Sequence, residues 1–207
     1  MSQLVRIHPD NPQLRLIKQA AEIIRKGGIA AYPTDSAYAL GCHIGNKKAQ
    51  DKICAIRKID KNHKFTLMCA DLSDISLYAK MDNKAFKILK NLTPGPYTFI
   101  FAATRDVPRR LQNPKRKTIG IRVPDNNIVQ ELLAELGEPI MSVSLIMPGN
   151  TTALNNPDEI YAKLKDKADI IVAGGDCANQ PTTVVHFESG VPEVTRFGQG
   201  DPARLSL

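Results

Sequence analysis

The amino-acid sequence predicts one α/β domain with a mixed β-sheet, and three observations carry that prediction. Helical runs with a period near 3.6 alternate with short apolar strand runs along most of the chain. The last strand-like runs, at 169–173, 183–187 and 193–197, come one after another almost directly, which breaks a pure βαβ alternation and asks for mixed pairing. The 207 residues suit a single domain able to bury a core without disulfides or metals.

From the N-terminus, Asn11-Pro12 supplies an N-cap and a first-turn proline for a helix whose apolar face is Leu14, Ile17, Ala20, Ala21 and Ile24, ended by Gly27-Gly28. Ile29–Tyr32 reads as a buried strand running into the turn Pro33-Thr34-Asp35. Asn46 caps a helix that aligns Ala49, Ile53 and Ile56. A short strand at Thr66–Cys69 precedes helical patterns over 71–80 and 83–92. Thr93-Pro94-Gly95-Pro96 is a turn. Next come strands at Tyr97–Ala103 and Thr118–Val123 with a basic loop between them, then a helix at Asn126–Leu136 ended by Gly137 and a strand at Ile140–Leu145. Asn156-Pro157-Asp158-Glu159 resembles a capping box and opens a helix to about Leu164.

Composition narrows the chemistry. The chain is 43% hydrophobic and 24% charged, the balance of a globular protein. With no Trp and few aromatics it has little material for a single-strand stacking platform. Residues 1–9 hold no apolar signal core and no run nears the about 20 apolar residues of a membrane span, so a cytoplasmic protein is expected. Cys42, Cys54, Cys69 and Cys177 are widely spaced and read as reduced thiols, and no metal site is expected. Net charge is +7, placed unevenly: residues 46–64 carry +5 and 105–122 carry +6, leaving −4 on the rest. Concentrated positive charge points to an anionic partner such as nucleotide phosphate or RNA.

Several motifs place polar groups where an α/β sheet binds ligands. Pro33-Thr34-Asp35-Ser36-Ala37-Tyr38-Ala39-Leu40-Gly41 gathers hydroxyls and a carboxylate at the carboxyl end of a buried strand. Strand alternation puts Arg122 on the face of Gly120 and Thr118, opposite Ile119, Ile121 and Val123. A cation there needs a counter-charge, either an internal carboxylate or a ligand anion, and the surrounding positive charge favours the ligand. Ser142 and Ser144 share one strand face; Thr98, Thr182, Thr183 and Arg196 add donors. Gly174-Gly175 lacks the surroundings of a phosphate loop, and His8, His43, His63 and His186 fall in no motif.

Four of these segments in order resemble the YrdC/YciO family: Pro33–Gly41, Pro94-Gly95-Pro96-Tyr97-Thr98-Phe99-Ile100, Gly120-Ile121-Arg122-Val123-Pro124 and Pro181-Thr182-Thr183-Val184-Val185. The likeness spans about residues 12–200, and Phe65-Thr66-Leu67-Met68-Cys69 is most similar to the YciO branch. It implies a twisted, open, mixed β-sheet with flanking helices and a basic concave face binding ATP and RNA. Catalytic relatives make threonylcarbamoyl-AMP from ATP, threonine and bicarbonate, for modification of tRNA. The resemblance implies phosphate or carboxylate contacts by Arg57, Lys58 and Arg122, and substrate contacts by Thr34, Tyr38, Thr98, Ser142, Ser144, Thr183 and Arg196. Mg²⁺ would accompany ATP. Structured RNA or tRNA would meet Lys115, Arg116 and Lys117.

Two positions depart from the family pattern. Where catalytic relatives carry Lys-x-Arg this chain has Arg57-Lys58-Ile59, and where they carry Ser-x-Asn it has Ser144-Leu145-Ile146. Losing a cation and a carboxamide at a phosphoryl-transfer site, each at about 2–4 kcal/mol, implies weak adenylation. The alternative expectation is a non-catalytic binder of double-stranded or structured RNA.

Overall fold

The computed structural model describes residues 1–60, 63–187 and 191–205. Its strands are β1 (Gln3–Arg6), β2 (Ala30–Tyr32), β3 (Ala39–His43), β4 (Thr66–Met68), β5 (Tyr97–Ala102), β6 (Thr118–Arg122), β7 (Ile140–Ser144), β8 (Ile170–Ala173), β9 (Thr183–His186) and β10 (Glu193–Arg196). They form one open sheet in the order β1-β8-β2-β3-β7-β4-β6-β5-β9-β10. Pairing is parallel for β1/β8, β2/β8, β4/β6 and β5/β9 and antiparallel elsewhere, so the sheet is mixed, as the consecutive late strands predict.

The helices are α1 (Leu14–Arg25), α2 (Lys47–Arg57), α3 (Leu72–Tyr78), α4 (Asn83–Leu92), α5 (Asn127–Leu136) and α6 (Pro157–Leu164). Side-chain caps set most of their starts: Asn46 and Asn156 accept backbone N–H groups of the first turn, as their positions predict, and Asn126 does the same for α5. Glu159 does not complete a capping box but bonds Lys163 at 2.6 Å. Helix α1 departs from expectation, because Asn11 does not cap it. It starts after Gln13 and leaves Leu14 exposed, while Ile17, Ala20, Ala21 and Ile24 are buried as predicted. Two strands escape sequence reading. Strand β1 shows no alternation of apolar residues, and β3 continues from the polar motif at 33–38.

Register sorts the side chains onto two faces. Cys42, Met141, Leu67, Ile121, Phe99 and Val185 stand in one row across β3, β7, β4, β6, β5 and β9, all buried. Ile53, Ile75, Leu89 and Ile160 from α2, α3, α4 and α6 close over that face. The next row, Gly41, Ser142, Thr66, Gly120, Ile100 and His186, points the other way. On this second face α1 and α5 cover Tyr32, Ala39, Met68 and Ile140. They leave the remainder, toward β5 and β9, without a helix. No helix among the described residues is long and apolar enough to cross a membrane.

Candidate functional site

The uncovered half of the second face is the floor of a cleft of about 680 Å³. Thr66, Ser142, Ser144, Thr98, Arg122 and His186 rise from the floor, and the C-terminal end of α2, the 34–38 turn, the 151–153 loop and the 179–182 segment wall it. Four permanent cations, Arg57, Lys64, Arg122 and Arg196, line it, and no carboxylate does so among the described residues. The sheet face is therefore basic and recessed, and an anion entering it meets positive charge from several sides.

Each arginine is held in place by a different device. Arg122 donates to the carboxylate of Asp35 and, at 3.0 Å, to Ser36 Oγ. This corrects the expectation of a ligand as its partner: the internal carboxylate sits two residues past Pro33, in the turn after β2. Burial pulls the Arg122 pKa below its ordinary value, and Asp35 opposes that fall. Its Nε atom is buried without a hydrogen-bond partner among the described residues, so the pair does not exhaust the guanidinium. Arg57 is buried at the end of α2, donates from Nε to the Ile146 carbonyl at 2.9 Å, and has its pKa lowered by burial. Arg196, exposed at the rim, donates from Nε and Nη2 to the Thr182 carbonyl at 3.0 and 2.9 Å. Thr182 Oγ1 also accepts from Arg196 and shares a 2.7 Å hydrogen bond with Thr98 Oγ1.

The predicted hydroxyls divide. Thr98, Ser142 and Ser144 line the cleft, and Ser142 accepts a 2.7 Å hydrogen bond from Tyr32, whose own pKa burial drives far up. Thr34 lines it too, yet its Oγ1 donates to the Ala37 carbonyl and so shapes the turn. The Tyr38 hydroxyl is engaged with Gly175 O at 2.8 Å and Gly174 N at 3.0 Å. Thr183 is a correction. It is fully buried, bonded to Gly200 O and Gly198 N, and stands on the face away from the cleft. Alternation gives the cleft Thr182 and Val184 instead.

Lys58 is a second correction: it caps α2 in the left-handed conformation at φ 50°, is exposed, and does not line the cleft. Ile59 turns back against the core, whereas Ile146 does line the cleft. Lys115, Arg116 and Lys117 lie elsewhere, in the loop between β5 and β6; Arg116 and Lys117 border a separate groove of about 1170 Å³. Lys80, Arg105 and Arg109 join them there, with Asp106 the one carboxylate among the described residues. Lys61 of the first basic segment lies outside the described residues. Sequence reading missed His63, Lys64 and His186 as cleft residues. His186 alternates with buried Val185 and Phe187, a signal that places it on the cleft face. Burial, then the Arg57 charge, holds His63 below the ordinary histidine range.

Comparison with known proteins agrees with this architecture. A family model for Sua5, YciO and YrdC, described as "Telomere recombination", matches residues 22–198. The chain is 54% identical over 201 residues to YciO of Escherichia coli K12, covering 97% of this chain and 98% of that one. It is 53% identical over 204 residues to a protein of Haemophilus influenzae, covering 98% and 99%. The crystal structure of E. coli YciO superposes with a TM-score of 0.94 over the full length of both chains. P. abyssi Sua5 in complex with L-threonine matches with a TM-score of 0.87 at 22% identity, over 95% of this chain and 58% of that one, a likeness of fold.

Proposed function

The chain belongs to the Sua5/YciO/YrdC family, and on that premise we propose that its cleft binds ATP and threonine and slowly adenylates threonine carbamate. The observation that carries this reading is a lining without a carboxylate among the described residues, with Arg57, Lys64, Arg122 and Arg196 set among the hydroxyls of Thr98, Ser142, Ser144 and Thr182. The complex of the similarly folded P. abyssi Sua5 with L-threonine supports the amino acid. Threonine and bicarbonate combine to a carbamate with loss of water. A carbamate oxygen then bonds to the α-phosphorus of ATP as the bond to the β-phosphate oxygen breaks and pyrophosphate leaves. Charge grows on phosphate oxygens, so the protein's part is alignment and neutralisation by fixed cations. Mg²⁺ would enter on the phosphates of ATP, because the described residues of the cleft lining offer it no carboxylate. Ile146 occupies a cleft position where catalytic relatives carry a carboxamide, which fits slow turnover.

Titration of ATP·Mg²⁺ by calorimetry tests the reading. Arg57→Ala and Arg122→Ala should each weaken binding by roughly 1.5–3 kcal/mol, the worth of a charge-assisted contact. An absence of heat at millimolar ATP, or unaffected variants, would overturn it. A second reading, binding of structured RNA without catalysis, is favoured by the separate groove that Lys80, Arg105, Arg109, Arg116 and Lys117 line with one carboxylate, Asp106, among the described residues.

A further inference from the structure

A smaller pocket of about 150 Å³ opens off the cleft and shares with it His63, Lys64, Thr66, Ile100 and His186. Its outer wall is Arg109 with the 110–114 segment, and its floor is Gly120. Gly120 stands between Thr66 and Ile100 in the sheet, and a Cβ there would come within 3.3 Å of Thr66 Oγ1 and of Ile100 Cδ1. A side chain at position 120 would therefore crowd the floor of the pocket.

Its charge is one-sided. Lys64, Arg109 and Arg110 line it with two imidazoles, and no carboxylate does so among the described residues. Arg110 is committed elsewhere, donating to Gln50 Oε1 at 2.9 Å and to the Ile44 carbonyl at 2.6 Å. The side chains of Lys64, Arg109, His63 and His186 make no hydrogen bond or ion pair with any described residue. Unspent donors around a recess of this size define its occupant. At ~30 Å³ per water it holds about five waters, enough for a tetrahedral oxyanion and too little for a nucleoside.

We propose that this side pocket is a second oxyanion site, distinct from the Arg122 centre, that takes a free or esterified phosphate group between Arg109, Lys64, His63 and His186. Among the described residues the charged groups lining the side pocket, Lys64, Arg109 and Arg110, are all cations, and burial and the Arg57 charge lower the His63 pKa, so without a bound anion His63 is held toward its neutral form. A bound dianion reverses that balance and draws a proton onto an imidazole beside it. Phosphate uptake is thus linked to histidine protonation and strengthens as pH falls.

The test is to track the imidazole signals of all four histidines by NMR across pH, with the full chain alone, with inorganic phosphate, and with ATP. Phosphate should raise the titration midpoints of His63 and His186 by about one unit, a tenfold coupling, and leave those of His8 and His43 in place. Arg109→Ala should weaken phosphate binding about tenfold; the side chain is exposed, so the fold survives its loss. Gly120→Val, which fills the floor, should abolish the shift. A shift with phosphate alone identifies the free ion as ligand, and a shift only with ATP identifies an esterified phosphate reaching in from the cleft. If neither moves the two imidazoles, or if Arg109→Ala binds as wild type does, the proposal is overturned. The ATP arm depends on the proposed function, and the outcomes separate the two. ATP heat that Arg57→Ala reduces, without imidazole shifts, sinks only the side pocket, and phosphate shifts without ATP binding sink only the nucleotide reading.

Discussion

The guanidinium of Arg122 lies against the carboxylate of Asp35 across 87 residues of sequence, and both side chains are over nine-tenths buried. The other Asp35 oxygen accepts the backbone N–H of Asp125 at 3.2 Å, so the pair ties the turn after β2 to the end of β6. Breaking such a pair strands a buried charge. Arg122→Ala and Asp35→Ala should each lower unfolding free energy by about 3–5 kcal/mol in urea. The double variant should lose at least about 1 kcal/mol less than their sum. Strict additivity would show that the two groups do not stabilise one another.

Ile146 and Ile59 make opposite predictions. Ile146 lines the cleft and fixes Arg57 only through its backbone carbonyl, so Ile146→Asn adds a polar group and keeps that contact. Threonine-dependent pyrophosphate release should rise about tenfold or more. Ile59→Arg should instead lower stability by about 1–3 kcal/mol without raising the rate, because the side chain packs on the core. A folded Ile146→Asn with wild-type turnover would remove this position as the limit.

The thiols of Cys42 and Cys177 should be inert. Burial pushes Cys177 up to about 11 and Cys42 up to about 12 from an ordinary 9. At about pH 8, roughly one Cys177 in a thousand is a thiolate, so it should resist thiol reagents in the folded protein. The unfolded chain loses these protons first, so stability is intact below 9 and falls as pH rises. Cys177 contributes about 1.4 kcal/mol of loss per pH unit between 9 and 11. Unfolding curves that are flat in that window would contradict the assignment.

If structured RNA uses the loop groove, its affinity should fall linearly with log salt. Four to six neutralised phosphates would give a log–log slope of about −4 to −5, and reversing Lys115, Arg116 and Lys117 should flatten it by about three units. These residues are exposed, so the fold should not change. Equal slopes for the variant and the wild type on tRNA and on an RNA duplex would leave the loop as solvated surface.

The mixed sheet, the positions of all six helices (the cap of α1 excepted) and the faces of Arg122, Ser142 and Ser144 were legible in the sequence, because each rests on local rules. Asn46, Asn126 and Asn156 cap the helices that they precede, and alternation in a strand fixes which side chains share a face. The resemblance to the family misplaced Thr183, because two adjacent threonines offer two registers and the pairing of Thr98 with Val184 chooses between them. Strand β1 was illegible, since four residues at an edge become a strand only by pairing with β8. The partner of Arg122 lies 87 residues away, and His63 and Lys64, ahead of β4, meet His186 of β9 only because β4, β6, β5 and β9 are brought side by side. Sequence determines what each segment can form and which charges it carries. Only tertiary pairing decides which charges meet and which part of the face no helix covers, because both depend on contacts between segments that no local pattern encodes.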